Sequence, residues 1–68
     1  MDYNEALRRA REYRDLEQKN IAEILNTTQQ QISLYETGQR EMKSSQIIKL
    51  CKELKLSADF VLGLKDKP

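Results

Sequence analysis

The sequence predicts an all-α fold, a compact bundle of five short helices in a single domain over residues 1–68. Apolar residues recur three and four apart, the spacing that gathers them on one face of a helix. No stretch alternates with the period of two that a half-buried strand shows. The chain holds two glycines and one proline, and that proline is its last residue. Helix breakers are therefore scarce. A chain of 68 residues supports one small core and no more.

The elements follow in order. Tyr3, Ala6, Leu7, Ala10 and Tyr13 form a stripe that predicts a helix over about 2–14. Ile21, Ile24 and Leu25 predict a second over 18–25, ended by Asn26, which tolerates the left-handed backbone of a helix stop. Thr28 is the N-cap of a third over 29–37, carrying Ile32 and Tyr35 inward and stopped by Gly38. Gln31, three residues after Thr28, predicts a reciprocal capping box. Ile47, Leu50, Cys51 and Leu54 predict a fourth helix over 44–54. Ser57 caps a fifth over 58–63, with Phe60, Val61 and Leu64 apolar and Leu56 placed to staple against Val61. Only Asn26, Thr27 and Thr28 separate the second and third helices. A connection this tight makes two short helices cross steeply, the helix-turn-helix arrangement.

Composition narrows the function. Charge is dense but balanced, 12 Lys and Arg against 11 Asp and Glu. Arg8, Arg9, Arg11 and Arg14 crowd the first helix, and composition alone makes them a solvated face. There is one cysteine and no histidine, so no internal disulfide and no cluster of metal ligands is expected. Cys51, on a buried stripe, reads as inert packing. No nucleophile motif or glycine-rich loop appears, so neither an enzyme nor a cofactor is expected. No apolar run is long enough to span a membrane, and a free thiol suits a reducing compartment; the expected location is the cytoplasm.

The stretch "TTQQQISLYETGQR" carries the functional signal. On the third helix the face opposite Ile32, Tyr35 and Glu36 is Gln30, Ser33, Leu34 and Thr37, with Gln29 beside them at the helix start. That face is polar but uncharged, whereas a merely solvated face more often carries Lys and Glu. Glutamine amides can pair bidentately with adenine N6 and N7, and an exposed leucine can meet a thymine methyl. In helix-turn-helix proteins the first residues of the second motif helix meet the bases. Gln29, Gln30, Ser33 and Leu34 are thus the candidate base-reading residues.

The stretch "LEQKNIAEILNTTQQQISLYETGQR", with the closing "LKLSADFVLGL", resembles the Cro and phage-repressor type of helix-turn-helix (XRE) family over Leu7 to Leu64. The resemblance implies a lambda-repressor-like fold and a double-stranded DNA operator as partner. It implies that Gln18 bonds a phosphate and buttresses the third helix. Ala22 is implied where the two motif helices touch, and Thr28 as a cap that also contacts phosphate. Arg40 and Lys43 fall in the loop that skirts the backbone, and Thr37 is assigned with them to phosphate. Arg11 and Glu36 match an ion pair tying the first helix to the third. There are departures. Glu17 replaces a Ser or Thr cap and predicts a loose start to the second helix. Asn26 and Lys55 replace glycines, Thr27 replaces an apolar residue, and Met42 and Lys43 replace a Pro-Ser pair.

One short recognition helix buries little surface, so a two-fold dimer on an inverted repeat is expected, weakly associated or monomeric when free. Met42, Ala58, Val61 and Leu64 are the candidate interface residues, because so small a core cannot use every apolar group near its C-terminal end. The expected function is a DNA-binding transcriptional regulator, a repressor. The rival reading is a protein-interaction module of the same fold, antitoxin-like, with a protein partner and DNA binding secondary.

Overall fold

Helices begin and end in this chain where local chemistry changes. A computed structural model describes residues 3–66. Its helices are α1 (Asn4–Tyr13), α2 (Gln18–Ile24), α3 (Gln29–Glu36), α4 (Ser44–Leu54) and α5 (Ala58–Val61). Among the described residues there is no strand. The expected first helix began at residue 2, which lies outside them.

Every helix stops in the same way. The residue after the last turn takes a left-handed backbone at Asp15, Asn26, Gly38, Lys55 and Gly63, with φ of 55°, 56°, 78°, 55° and 83°. The next N–H then donates back across the end of the helix: Leu16 to the Arg11 carbonyl at 3.0 Å, Thr27 to Ala22 at 2.9 Å, Gln39 to Leu34 at 3.0 Å, Leu56 to Cys51 at 2.9 Å and Leu64 to Asp59 at 2.7 Å. This is the Schellman arrangement, which satisfies carbonyls that a helix end leaves over. It also explains why α2, α3 and α5 stop one or two residues short of their expected ends. Leu25, Thr37 and Leu62 are cap residues, whose N–H groups still close the last turn but whose ψ near 0° already leaves the helix.

The starts differ more from expectation. Thr28 Oγ1 accepts the Gln31 N–H at 3.2 Å, but the Gln31 amide makes no return bond to Thr28, so only half of the box forms. The loose start expected at Glu17 is corrected: Asn20 Oδ1 accepts the Glu17 N–H at 2.9 Å. Gln46 Oε1 accepts the Lys43 N–H in the same way at 2.8 Å. Ser57 Oγ accepts from the Phe60 N–H at 3.4 Å.

Packing converges on one centre. The fully buried large side chains are Leu7, Ile21, Ile32, Leu50 and Val61, one from each helix. Burying each contributes about 1.5–3 kcal/mol. Around them lie Ala6, Ala10, Ala22, Tyr35, Met42, Ile47, Cys51 and Leu56. Tyr13, expected on the inner stripe, is instead 47% exposed and meets Phe60 in a T-shaped contact with ring centroids 4.9 Å apart. Met42 and Val61 are only 4% and 1% exposed, so these two interface candidates are corrected to core residues. Ala58 and Leu64 remain on the surface. Burial also pushes the Cys51 thiol pKa up.

Arg8, Arg9 and Arg14 of α1 are exposed, as a solvated face would be, but they also bond carbonyls of other helices. Arg8 Nη2 donates to the Glu36 carbonyl at 3.1 Å, Arg9 Nη1 to that of Phe60 at 3.4 Å, and Arg14 to those of Leu54 and Lys55 at 2.9 and 3.2 Å. Each thus puts a cation at the C-terminal end of α3, α5 or α4, where the helix dipole favours positive charge by about 0.3–1 kcal/mol. Arg11 Nη1 holds the Leu16 carbonyl at 3.1 Å. The first helix is thus tied to the ends of three others.

Candidate nucleic-acid interface

The site is built on the α2–α3 unit. α3 packs more extensively on α2 than any other pair of helices does, and Ala22 of α2 is buried. Asn26 turns the chain and Thr28 restarts it, so the start of α3 is presented at the surface.

Gln29 and Gln30 are exposed at that start, in the first two helical positions. Ser33 and Leu34 follow on the same face but are half-buried, so Leu34 is less open than the sequence implied. Thr28 is exposed, and because its oxygen accepts the Gln31 N–H, its own hydroxyl proton is left to donate outward. Thr37 is placed differently. Its hydroxyl donates to the Ser33 and Leu34 carbonyls at 3.0 and 3.3 Å and accepts from Gln39 Nε2 at 3.1 Å. A phosphate would have to displace the proton that Thr37 spends on its own helix. Arg40 and Lys43 are exposed in the loop between α3 and α4, and neither forms an ion pair among the described residues.

Behind this face lies a charged network. Arg11 donates to both carboxylate oxygens of Glu36, Nε to Oε2 at 2.7 Å and Nη2 to Oε1 at 2.9 Å. Glu36 is 4% exposed and the Arg11 side chain 19%. These hydrogen bonds, more than any other influence, hold the Arg11 pKa above its ordinary value. Gln18 Nε2 donates to Glu36 Oε1 at 3.4 Å, so its buttress is the far end of α3. Sequence reasoning missed Arg8, whose Nε lies 4.0 Å from the same carboxylate. The signal was present: Arg8 and Arg11 are three apart and share a helix face. It also missed Gln39, for which no spacing rule calls.

A family profile described as a helix-turn-helix domain matches residues 4–67. The chain belongs to the helix-turn-helix domain family, of the XRE type. Among solved structures, this helix-turn-helix chain is similar to the P22 c2 repressor protein in complex with a synthetic operator. The TM-score is 0.70 and the identity 22%, over 96% of this chain and 98% of that one. At that identity the likeness speaks for the fold alone. Comparison with curated protein sequences returns no match. No helix among the described residues is long and apolar enough to cross a membrane.

Proposed function

We propose that this helix-turn-helix domain binds double-stranded DNA sequence-specifically and acts in the cytoplasm as a transcriptional regulator, a repressor, rather than as an enzyme. The observation that carries the reading is the pair of exposed, uncharged amides, Gln29 and Gln30, at the first turn of α3. Entering the major groove by that end, α3 meets base edges with Gln29, Gln30, Ser33 and Leu34. Gln18, Thr28, Arg40 and Lys43 take phosphates, which set register and supply salt-dependent affinity. Thr37 adds to them only by giving up its internal bonds. The chain is similar in fold to a repressor solved in complex with operator DNA, and that supports the DNA-binding reading. A single module buries too little for high specificity, so the chain acts as a two-fold dimer on an inverted repeat, with Ala58 and Leu64 at or near the contact.

The test is selection of bound sites from a random DNA pool, followed by sequencing and titration at two salt concentrations. The expected result is an inverted repeat with half-site centres about 10 base pairs apart. Recovery of no sequence above the starting pool overturns the reading and moves the protein-interaction role ahead.

A further inference from the structure

Glu36 closes α3, yet the side chain it reaches beyond Arg11 stands at the start of α2. Its buried carboxylate takes Arg11 on both oxygens, and its Oε1 also accepts from Gln18 Nε2 at 3.4 Å. Arg8 fixes the same residue by its backbone, donating to the Glu36 carbonyl at 3.1 Å. A carboxylate can only accept hydrogen bonds, whereas a glutamine amide offers an oxygen on one side and a nitrogen on the other. A free Gln18 could turn its oxygen toward DNA, and two oxygens repel. Beside Glu36 that choice is removed. The nitrogen must face the carboxylate, and the second N–H of that nitrogen remains for another acceptor.

We propose that Glu36 is a positioning residue for phosphate recognition: it fixes the Gln18 amide as a donor toward the DNA backbone, and Arg11 and Arg8 fix Glu36 in turn. This rests on the DNA-binding reading above and deepens it. It gives the buried pair a second role besides joining α1 to α3. The phosphate contact of α2 is set from α1, through a side chain that DNA never touches.

Glu36→Asp tests it. The charge facing Arg11 is kept, while the carboxylate is drawn back by one carbon–carbon bond from a Gln18 contact that is already long. Thermal melts check that the variant is folded. Without DNA, the side-chain amide protons of Gln18 are followed by NMR, assigned with Gln18→Ala. One is expected downfield of those of the exposed Gln29 and Gln30, and is expected to rejoin them in Glu36→Asp. With the selected site, Gln18→Ala is expected to weaken wild-type binding about tenfold on every sequence, as a hydrogen bond to a charged group does. In the Glu36→Asp background the same change is expected to cost less than about twofold, the non-additivity of coupled residues. Equal losses in both backgrounds overturn the proposal, as does a Gln18 resonance that ignores Glu36→Asp. If wild type selects no DNA, the DNA-binding reading fails instead, and the resonances still decide whether Glu36 holds the amide.

Discussion

Arg11 grips Glu36 through two parallel hydrogen bonds, Nε to Oε2 at 2.7 Å and Nη2 to Oε1 at 2.9 Å, across 25 residues of sequence. The fork geometry is specific to arginine. Removing one partner strands the other in a site where Glu36 is 4% exposed. Arg11→Ala is therefore expected to cost about 3 kcal/mol, the low end for a buried pair because Arg11 keeps some contact with water. Arg11→Met with Glu36→Leu is expected to cost less, since no charge is left unpaired. Urea melts of the three proteins check this, and an Arg11→Ala midpoint equal to wild type refutes it.

The three glutamines of "TTQQQ" are expected to behave differently. Gln30→Ala loses roughly 1–3 kcal/mol on the preferred site and relaxes one base position, an adenine, and Gln29→Ala does so at a neighbouring position. Gln31 contributes to the cap only its backbone N–H, which alanine keeps. Stability is therefore expected to be nearly unchanged in Gln31→Ala and to fall by about 1 kcal/mol in Thr28→Ala, which removes the accepting oxygen. The measurement is a binding matrix of each variant against every single-base change, with melts alongside. A Gln30→Ala loss equal on all sequences means that α3 is not the reader.

Lys55 holds a left-handed backbone, φ 55° and ψ 48°, that suits glycine better. Lys55→Gly is expected to relieve that strain and gain about 0.5–1 kcal/mol after the entropy of a freer unfolded chain is subtracted. The Arg14 bond to this position goes to a backbone oxygen and survives. Glu53→Gly, inside α4, is the contrast and is expected to lose about 1 kcal/mol. Thermal melts of both decide; a fall in both would mean that position 55 is unstrained.

Val61 and Leu64 stand three residues apart, one 1% and the other 73% exposed. A carboxylate at 61 has no partner in the core, so Val61→Asp is expected to unfold a domain with little stability to spare. Leu64→Asp is expected to leave the melt unchanged and lower cooperativity on the inverted repeat. Circular dichroism and DNA titration read the two effects. Unchanged cooperativity in Leu64→Asp places the dimer contact elsewhere.

Burial raises the Cys51 thiol above its ordinary value of 9.0. A raised folded value means that the contribution of this group is whole below about pH 9 and is lost as pH rises through the folded value, because only the unfolded chain ionises freely in between. Stability is expected to fall with pH above about 9 more steeply in wild type than in Cys51→Ala. Alkylation of the native protein at neutral pH is expected to be slow and to become fast in denaturant. Rapid native labelling would mean that the thiol is accessible.

The sequence alone determined the five helices, the tight turn at Asn26 to Thr28, and the exposure of Gln29 and Gln30 at the start of α3. All three are local matters: apolar spacing, capping side chains and residues that tolerate a left-handed backbone act within a few positions. Even Asp15 and Lys55 follow the same stop chemistry, though their side chains announce it less than Gly38 does. The tertiary structure alone decided where partners lie far apart. It sent Arg9 to a carbonyl 51 residues away and Arg14 to carbonyls 40 and 41 residues away. It buried Met42 in the α3–α4 loop and Val61 on α5 while leaving Leu64 in solvent, a choice that periodicity cannot make in a loop or between one short helix and its tail. And it brought Gln18 to Glu36. Which long side chain meets which oxygen depends on how the helices cross, and no spacing within a single helix encodes that.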